Sequence, residues 1–124
     1  MNDKLEVGQF VRLKSGYICK IININDFREP NMKYGVEANY LKDVMFIGDD
    51  DVVKSSYNII DILEVGDFVN GYKVVDIIRN NRKLEPSTMV YCEYGSRYIG
   101  FYNEEIKSVI THEQMEQMAY KVGE

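Results

Sequence analysis

Short runs of β-branched and aromatic residues, bounded by turn residues, recur along the chain. Runs of about four to eight such residues are typical of β-strands. The pattern predicts a mostly β protein in which each half holds roughly four or five short strands in meander order. The predicted strands are Phe10–Leu13, Ile18–Ile24, Val44–Ile47, Val74–Ile78, Met89–Tyr94 and Tyr98–Tyr102.

Turn residues separate these runs. Lys14-Ser15-Gly16 and Asn70-Gly71 supply the positive φ angles that tight connections need, and Asn80-Asn81 and Gly95-Ser96 are predicted hairpin tips. The connections therefore favour antiparallel neighbours.

One helix is predicted at about residues 111–121. Thr111 is its N-cap, and Gln114 at the third helical position can reach back to form a capping box. A helix this short is unstable alone, so we expect its apolar stripe to dock on the β structure. The stripe consists of Met115, Met118, Ala119 and Val122.

The chain contains an internal repeat. Leu5–Val11 recurs 58 residues later as Leu63–Val69, with six of seven positions identical. Both prolines follow the repeat, because Glu29-Pro30 aligns with Glu85-Pro86. Self-similarity of this kind indicates duplication of one β unit. The alternative is that the two segments share only a common way of starting a strand.

The duplication predicts two units, residues 1–58 and 59–124. Units of about 60 residues bury only about 60% of the surface that their unfolded chains expose, so we expect the two to pack together. Further alignments within the repeat are Ile21-Ile22 with Ile77-Ile78, Glu37 with Glu93, and Val53-Lys54-Ser55 with Ile106-Lys107-Ser108.

The opening of each copy resembles a known fold. Val65–Val69, followed by Gly71-Tyr72 and an aliphatic run, resembles the start of SH3-like barrels, including the KOW type. The first copy has Gln9 where the second has Asp67, which weakens the turn signature there. The resemblance implies two tandem SH3-like small barrels with a short C-terminal helix.

Two segments, Leu63–Tyr72 and Ile110–Met118, are similar to small proteins carried by phages and prophages of low-GC Gram-positive bacteria. This resemblance implies a phage source, and with no predicted membrane span or signal peptide we expect the protein in the cytoplasm of the bacterial host cell. It suggests an inhibitor of a defence system, such as an anti-CRISPR protein that acts on a Cas effector.

The acidic charge lies mainly in the second half of the chain. Residues 1–58 carry 8 basic and 9 acidic side chains, and residues 59–124 carry 7 and 11. The net charge of −5 is unfavourable for a general nucleic-acid binder. A membrane span needs about 18 apolar residues, and no apolar stretch approaches that length. The first six residues are too polar for a signal peptide.

Few residues suggest chemistry. His112 is expected to be an exposed surface residue in the first turn of the helix, where the dipole disfavours a cation. Cys19 and Cys92 lie in apolar runs without CxxC spacing, which predicts buried free thiols. We therefore expect no enzymatic activity, no cofactor and no metal.

Two acidic stretches precede the shared Lys-Ser ending of the copies. Asp49-Asp50-Asp51 and Glu104-Glu105 lack the oxygen-ligand pattern of an EF-hand loop. Carboxylates at these positions favour the start of a short helical turn. They are also candidates for contact with a basic partner.

Ten tyrosines without a tryptophan favour surface recognition. Half-buried strand tyrosines are the alternative explanation. The candidate partner-binding residues are Tyr91, Tyr94, Arg97, Tyr98, Tyr102, Asp49, Asp50, Asp51, Glu104 and Glu105.

The preferred hypothesis is a protein-binding factor that inhibits a host defence effector by docking on its nucleic-acid-binding or regulatory surface. The alternative is a KOW-like module that binds nucleic acid or a ribonucleoprotein, with an affinity that falls steeply as salt rises. Its contacts would come from Arg12, Lys14, Arg79, Arg82 and Lys83.

Overall fold

The computed structural model of the chain describes residues 5–38, 42–80 and 87–118. The chain divides into two compact units, Met1–Ile62 (unit 1) and Leu63–Glu124 (unit 2). Each unit holds one five-stranded antiparallel sheet, and one of the sheets is a half-barrel. The prediction of a mostly β protein is confirmed, while the packing of the units against each other stays a prediction.

The sheet of unit 1 consists of β1 (Phe10–Leu13), β2 (Ile18–Ile24), β3 (Tyr34–Glu37), β4 (Met45–Ile47) and β5 (Val52–Ser56). Its order is β4-β3-β2-β1-β5, a meander of four strands with the last strand beside the first. The core of this unit consists of Leu5, Val11, Leu13, Cys19, Ile21, Tyr34, Val36 and Ile47.

The sheet of unit 2 consists of β6 (Phe68–Val69), β7 (Tyr72–Asn80), β8 (Ser87–Tyr94), β9 (Arg97–Tyr102) and β10 (Val109–Ile110). Read from the β9 edge, its order is β9-β8-β7-β6-β10. The two sheets therefore have the same strand order. Buried side chains of these strands include Val69, Val74, Val90 and Cys92.

The second strand of each sheet carries a β-bulge. The register of β2 against β3 shifts between Ile21 and Asn23, and that of β7 against β8 shifts between Val74 and Asp76. A bulge adds one residue to one strand, so it changes which residues face each side of the sheet.

The Leu-Glu-Val-Gly turn has the same geometry in both units. Gly8 and Gly66 have φ of 98° and 101°, a region that favours glycine. The Glu6 N–H donates to Gln9 Oε1 at 2.8 Å, and the Glu64 N–H donates to an Asp67 carboxylate oxygen at 2.7 Å. Gln9 therefore closes the turn as Asp67 does, although it departs from the sequence signature.

A single 3-10 turn precedes the last strand of each sheet. These turns are Asp49–Asp51 and Asn103–Glu105. The Gly48 N–H donates to an Asp51 carboxylate oxygen at 2.9 Å, and the Tyr102 N–H donates to a Glu105 carboxylate oxygen at 2.8 Å. The prediction that acidic residues start a short helical turn is confirmed at both places.

The register corrects two alignments of the repeat. Ile21 pairs with Val36 and Val74 pairs with Cys92, so the equivalent of Ile21 is Val74 and not Ile77. Likewise Ser55 pairs with Val11 and Val109 pairs with Val69, so Ser55 corresponds to Val109 instead of Ser108. The first error arose because the hairpin between β6 and β7 is shorter than its counterpart. The second is a slip of one residue, which exchanges the two faces of a strand.

The predicted helix is present as α1 (His112–Met118), and Ala119 and Val122 lie outside the described residues. The capping box is confirmed: the Thr111 N–H donates to Gln114 Oε1 at 2.9 Å, and the Gln114 N–H donates to Thr111 Oγ1 at 3.2 Å. The expectation of a docked stripe is wrong for Met115 and Met118, which are 37% and 65% exposed.

Asn70 fixes the hairpin of β6 and β7 to the segment before β10. It has φ of 53°, followed by Gly71 at 88°, which confirms the predicted turn. The Asn70 side chain donates to the Glu105 carbonyl at 3.0 Å and accepts from the N–H groups of Lys107 and Ser108 at 2.8 and 3.1 Å. Asparagine is suited to this place because it tolerates a positive φ.

We expect Asn70→Ala to lower the free energy of unfolding by about 2–4 kcal/mol, because three hydrogen bonds are lost and alanine is strained at positive φ. Asn70→Gly loses the same bonds without the strain, so its loss should be smaller by about 1 kcal/mol. Urea denaturation of the full chain measures both. A loss below about 0.5 kcal/mol for the alanine variant would contradict the assigned role.

Candidate functional site

The register of β7, β8 and β9 sorts their side chains onto two faces. Val90 and Cys92 are buried, and they pair with Phe101 and Ile99 of β9. Because side chains alternate along a strand, the residues between them point to the opposite face. We call that opposite face the tyrosine face. It carries Asp76, Ile78, Met89, Tyr91, Glu93, Tyr98, Gly100 and Tyr102.

The tyrosine face exposes a large aromatic and apolar area. Tyr98 is 70% exposed, Tyr102 is 41% exposed and Ile78 is 48% exposed. Tyr91 and Met89 are half-buried between them. Three of the predicted tyrosines are thus brought together on one side of the sheet.

Gly100 makes room for its cross-strand neighbours. A Cβ at this position would lie 2.7 Å from Met89 Sδ and 3.3 Å from Tyr91 Cε1. The Tyr91 ring therefore leans over the glycine, with Tyr98 and Tyr102 on either side of Gly100 along β9. Gly100 was not among the predicted site residues, although a glycine inside a strand indicates a close approach.

Carboxylates surround the aromatic rings. Asp76 of β7 lies opposite Tyr91 of β8, and Glu93 of β8 lies opposite Tyr98 of β9. Asp76 Oδ1 accepts from the Ile77 N–H at 2.8 Å. Both carboxylates are exposed, and exposed Glu104 follows the end of β9. The tyrosine face therefore carries two carboxylates, and a third follows at the end of β9.

Two of the predicted partner-binding residues lie on the other face of the same hairpin. Tyr94 pairs with Arg97 at its tip, in line with buried Cys92. The Tyr94 ring packs 5.5 Å from that of Tyr72, which in turn stacks on Phe101 at 6.2 Å. The structure thus separates Tyr94 and Arg97 from the tyrosine face.

The predicted acidic contacts divide between the units. Asp49, Asp50 and Asp51 are exposed in unit 1, whereas Glu104 and Glu105 belong to unit 2. Asp49 accepts a hydrogen bond of 2.6 Å from the hydroxyl of Tyr34. Burial, with this bond in addition, raises the pKa of Tyr34. Asp49, Asp51 and Glu105 thus have structural partners.

The basic residues proposed for nucleic acid are not all at the surface. Arg12 is 1% exposed, and its guanidinium donates to the Ile62 carbonyl at 3.1 Å. Its assignment as a surface contact is therefore wrong, because neighbouring structure covers the charge. Lys14 and Arg79 are exposed. Arg82 and Lys83 lie outside the described residues.

Glu64, His112 and Glu113 form a cluster that could hold a metal ion, with ligand atoms within 4.8 Å of one another. His112 Nε2 lies 2.8 Å from Glu64 Oε1 and 3.4 Å from Glu113 Oε1. The His112 side chain is 41% exposed, so it is a surface group as expected, but it is bonded to Glu64 and is not free.

Unit 1 has a similar contact at the same turn. There the Tyr57 hydroxyl donates to the carboxylate of Glu6, which raises the pKa of Tyr57. A Cβ on Gly8 would meet Tyr57, and one on Gly66 would meet His112. Each contact ties the Leu-Glu-Val-Gly turn to the segment after the last strand, so the His112 contact has a structural role.

No protein-family model, curated protein or solved structure matches this chain. Within the described ranges, no helix has the length and apolar character needed to cross a membrane. The tyrosine face is the candidate functional site because of its exposure and its composition.

Both cysteines are buried free thiols, as predicted. Cys92 lies on the buried face of the unit 2 sheet, and burial raises its pKa to about 11. At pH 8 a thiol with this pKa is only about 0.1% thiolate, which is the nucleophilic form.

We expect iodoacetamide at pH 8 to label Cys92 at least tenfold more slowly in the folded chain than in about 6 M guanidinium chloride, as followed by mass spectrometry. The denatured chain is the control for intrinsic reactivity. Rapid, stoichiometric labelling of folded protein at Cys92 would contradict the burial.

Proposed function

We propose that the chain is a non-enzymatic binding factor that docks on a partner protein through the tyrosine face. The observation that carries the proposal is the group formed around Gly100 by half-buried Tyr91 and the exposed Tyr98 and Tyr102. Tyrosine supplies a large contact area at a low cost in side-chain entropy, and its hydroxyl can bond to the partner.

The charges favour a basic partner. Asp76 and Glu93 lie within the face, and Glu104 lies at the end of β9. Residues 59–124 carry 11 acidic against 7 basic side chains. A complementary positive surface would speed association and disfavour acidic competitors.

We further propose that both units are SH3-like and derive from one duplicated ancestor. In support, the sheets have the same strand order, a bulge in the second strand and a 3-10 turn before the last strand. Unit 1 and unit 2 then share a scaffold, while their exposed faces differ.

The similarity to phage proteins suggests a specific partner, namely a host defence effector in the bacterial cytoplasm. The nucleic-acid-binding groove of a Cas-type effector is basic, so an acidic aromatic face could occupy it in place of DNA. The alternative, a KOW-like nucleic-acid module, is weakened because Arg12 is buried.

Affinity purification of the full chain from a bacterial host, with mass spectrometry of the bound proteins, tests the proposal. The recovered partner should bind saturably, and more weakly at high salt. Replacing both Tyr98 and Tyr102 by alanine should reduce the affinity at least tenfold, because the exposed rings of the face are removed.

Tyr94→Ala is the matched control, because it removes a tyrosine from the opposite face of the same hairpin. Its affinity for the partner should stay within about twofold of the parent chain, once circular dichroism shows a folded protein. Equal losses for Tyr94→Ala and the double variant would contradict docking through the tyrosine face.

A further inference from the structure

Each sheet contains a glycine paired with an aromatic residue across its third and fourth strands. In unit 1 Gly35 of β3 lies opposite Phe46 of β4, and in unit 2 Tyr91 of β8 lies opposite Gly100 of β9. A Cβ on Gly35 would lie 3.5 Å from Phe46 Cε1, and one on Gly100 would lie 3.3 Å from Tyr91 Cε1. In both sheets the ring thus leans over the glycine of the neighbouring strand.

In unit 1 this ring is covered by an arginine of the chain itself. The Arg28 guanidinium lies 4.5 Å from the centroid of the Phe46 ring. It also donates to Asn23 Oδ1 at 3.1 Å. Asn23 of β2 lies opposite Gly35 of β3. Arg28 therefore connects the side-chain amide of Asn23 on β2 to the Phe46 ring on β4.

Unit 2 has similar groups, with a negative charge added and with the ring and the glycine on exchanged strands. Tyr91 stands where Gly35 does in unit 1, and Gly100 stands where Phe46 does. Asp76 of β7 lies opposite Tyr91 of β8. It is the first paired residue after the bulge, as Asn23 is in β2 of unit 1. Cation–π contacts among the described residues involve the rings of Phe10, Tyr34 and Phe46. Among the described residues, no cation lies over the Tyr91 ring.

We infer that Tyr91 and Asp76 form a receptor for an arginine side chain of the partner protein. This inference rests on the proposed function and specifies the residue by which the partner is anchored. The guanidinium would lie against the Tyr91 ring and donate to the Asp76 carboxylate, as Arg28 lies against Phe46 and donates to Asn23.

The chemistry of the receptor favours arginine over lysine. A guanidinium is planar and weakly hydrated, so it can stack on a ring while its N–H groups reach a carboxylate. The bond between Asp76 Oδ1 and the Ile77 N–H leaves the other carboxylate oxygen and further lone pairs for a ligand. A hydrogen bond from a guanidinium to a carboxylate, in which both groups are charged, is stronger than the bond from Arg28 to the uncharged amide of Asn23.

Titration of the full, ¹⁵N-labelled chain with N-acetyl-arginine methylamide tests the receptor without the partner. We expect saturable NMR shifts at Asp76, Tyr91 and Gly100. Binding should weaken at least fivefold with the uncharged citrulline analogue and at least twofold with the lysine analogue. Equal binding of arginine and citrulline, or shifts that avoid these three residues, would overturn the inference.

Two variants assign the roles while keeping the sheet intact. Asp76→Asn reproduces the Asn23 of unit 1 and should weaken arginine binding at least twofold, because the ligand loses a charged acceptor. Tyr91→Phe keeps the ring and should bind within about twofold of the parent, whereas Tyr91→Leu should abolish the shifts. Unchanged binding in Tyr91→Leu would overturn the inference.

Unit 1 supplies a positive control. Arg28→Ala uncovers Phe46, so the same probe should now also shift Gly35 and Phe46. Binding there without binding at Tyr91 would overturn the receptor in unit 2. If the probe binds at Tyr91 only in the Arg82→Ala variant, the inference is also overturned. In that case Arg82 of the chain itself, and not an arginine of the partner, would occupy the receptor.

The same variants separate this inference from the proposed function. If the captured partner loses affinity in the Tyr98 and Tyr102 double variant but not in Asp76→Asn or Tyr91→Leu, the docking face stands and the arginine receptor fails. If the probe binds as expected but the double variant leaves the partner's affinity unchanged, the receptor stands and docking through the face fails.

Discussion

The β-bulge in the second strand determines which side chains of each sheet face solvent. In β7 the shift between Val74 and Asp76 keeps Val74 in the core and places Asp76 on the tyrosine face. Without the extra residue, alternation would turn the following part of the strand over, so that Asp76 would be directed to the buried side. The position of a carboxylate beside Tyr91 thus depends on one inserted residue.

The sequence predicts the class of the fold and its local turns well. The hydrophobic runs correspond to strands, and the Asn70-Gly71 turn and the Thr111 capping box are found where composition places them. These features depend on nearest neighbours along the chain, such as the tolerance of asparagine for positive φ. Local chemistry is sufficient to predict them.

The register and the faces were predicted less well, because they depend on contacts between distant residues. Tyr94 and Tyr98 have similar surroundings in the sequence. Tyr94 pairs with Arg97 and Tyr98 pairs with Glu93, which places the two tyrosines on opposite faces of the sheet. Arg12 reads as a surface cation, but its guanidinium bonds to the carbonyl of Ile62, 50 residues away. Alternation predicts faces only when the bulges are known.

The Arg28 contact in unit 1 has a consequence for stoichiometry. Two sheets of the same strand order could be expected to make the chain bivalent, able to hold two partners or to cross-link them. In unit 1, however, the aromatic ring already has an internal ligand, which lies 4.5 Å from its centroid. On the proposed function, we therefore expect one partner to bind per chain, at the tyrosine face of unit 2 and not at the corresponding face of unit 1.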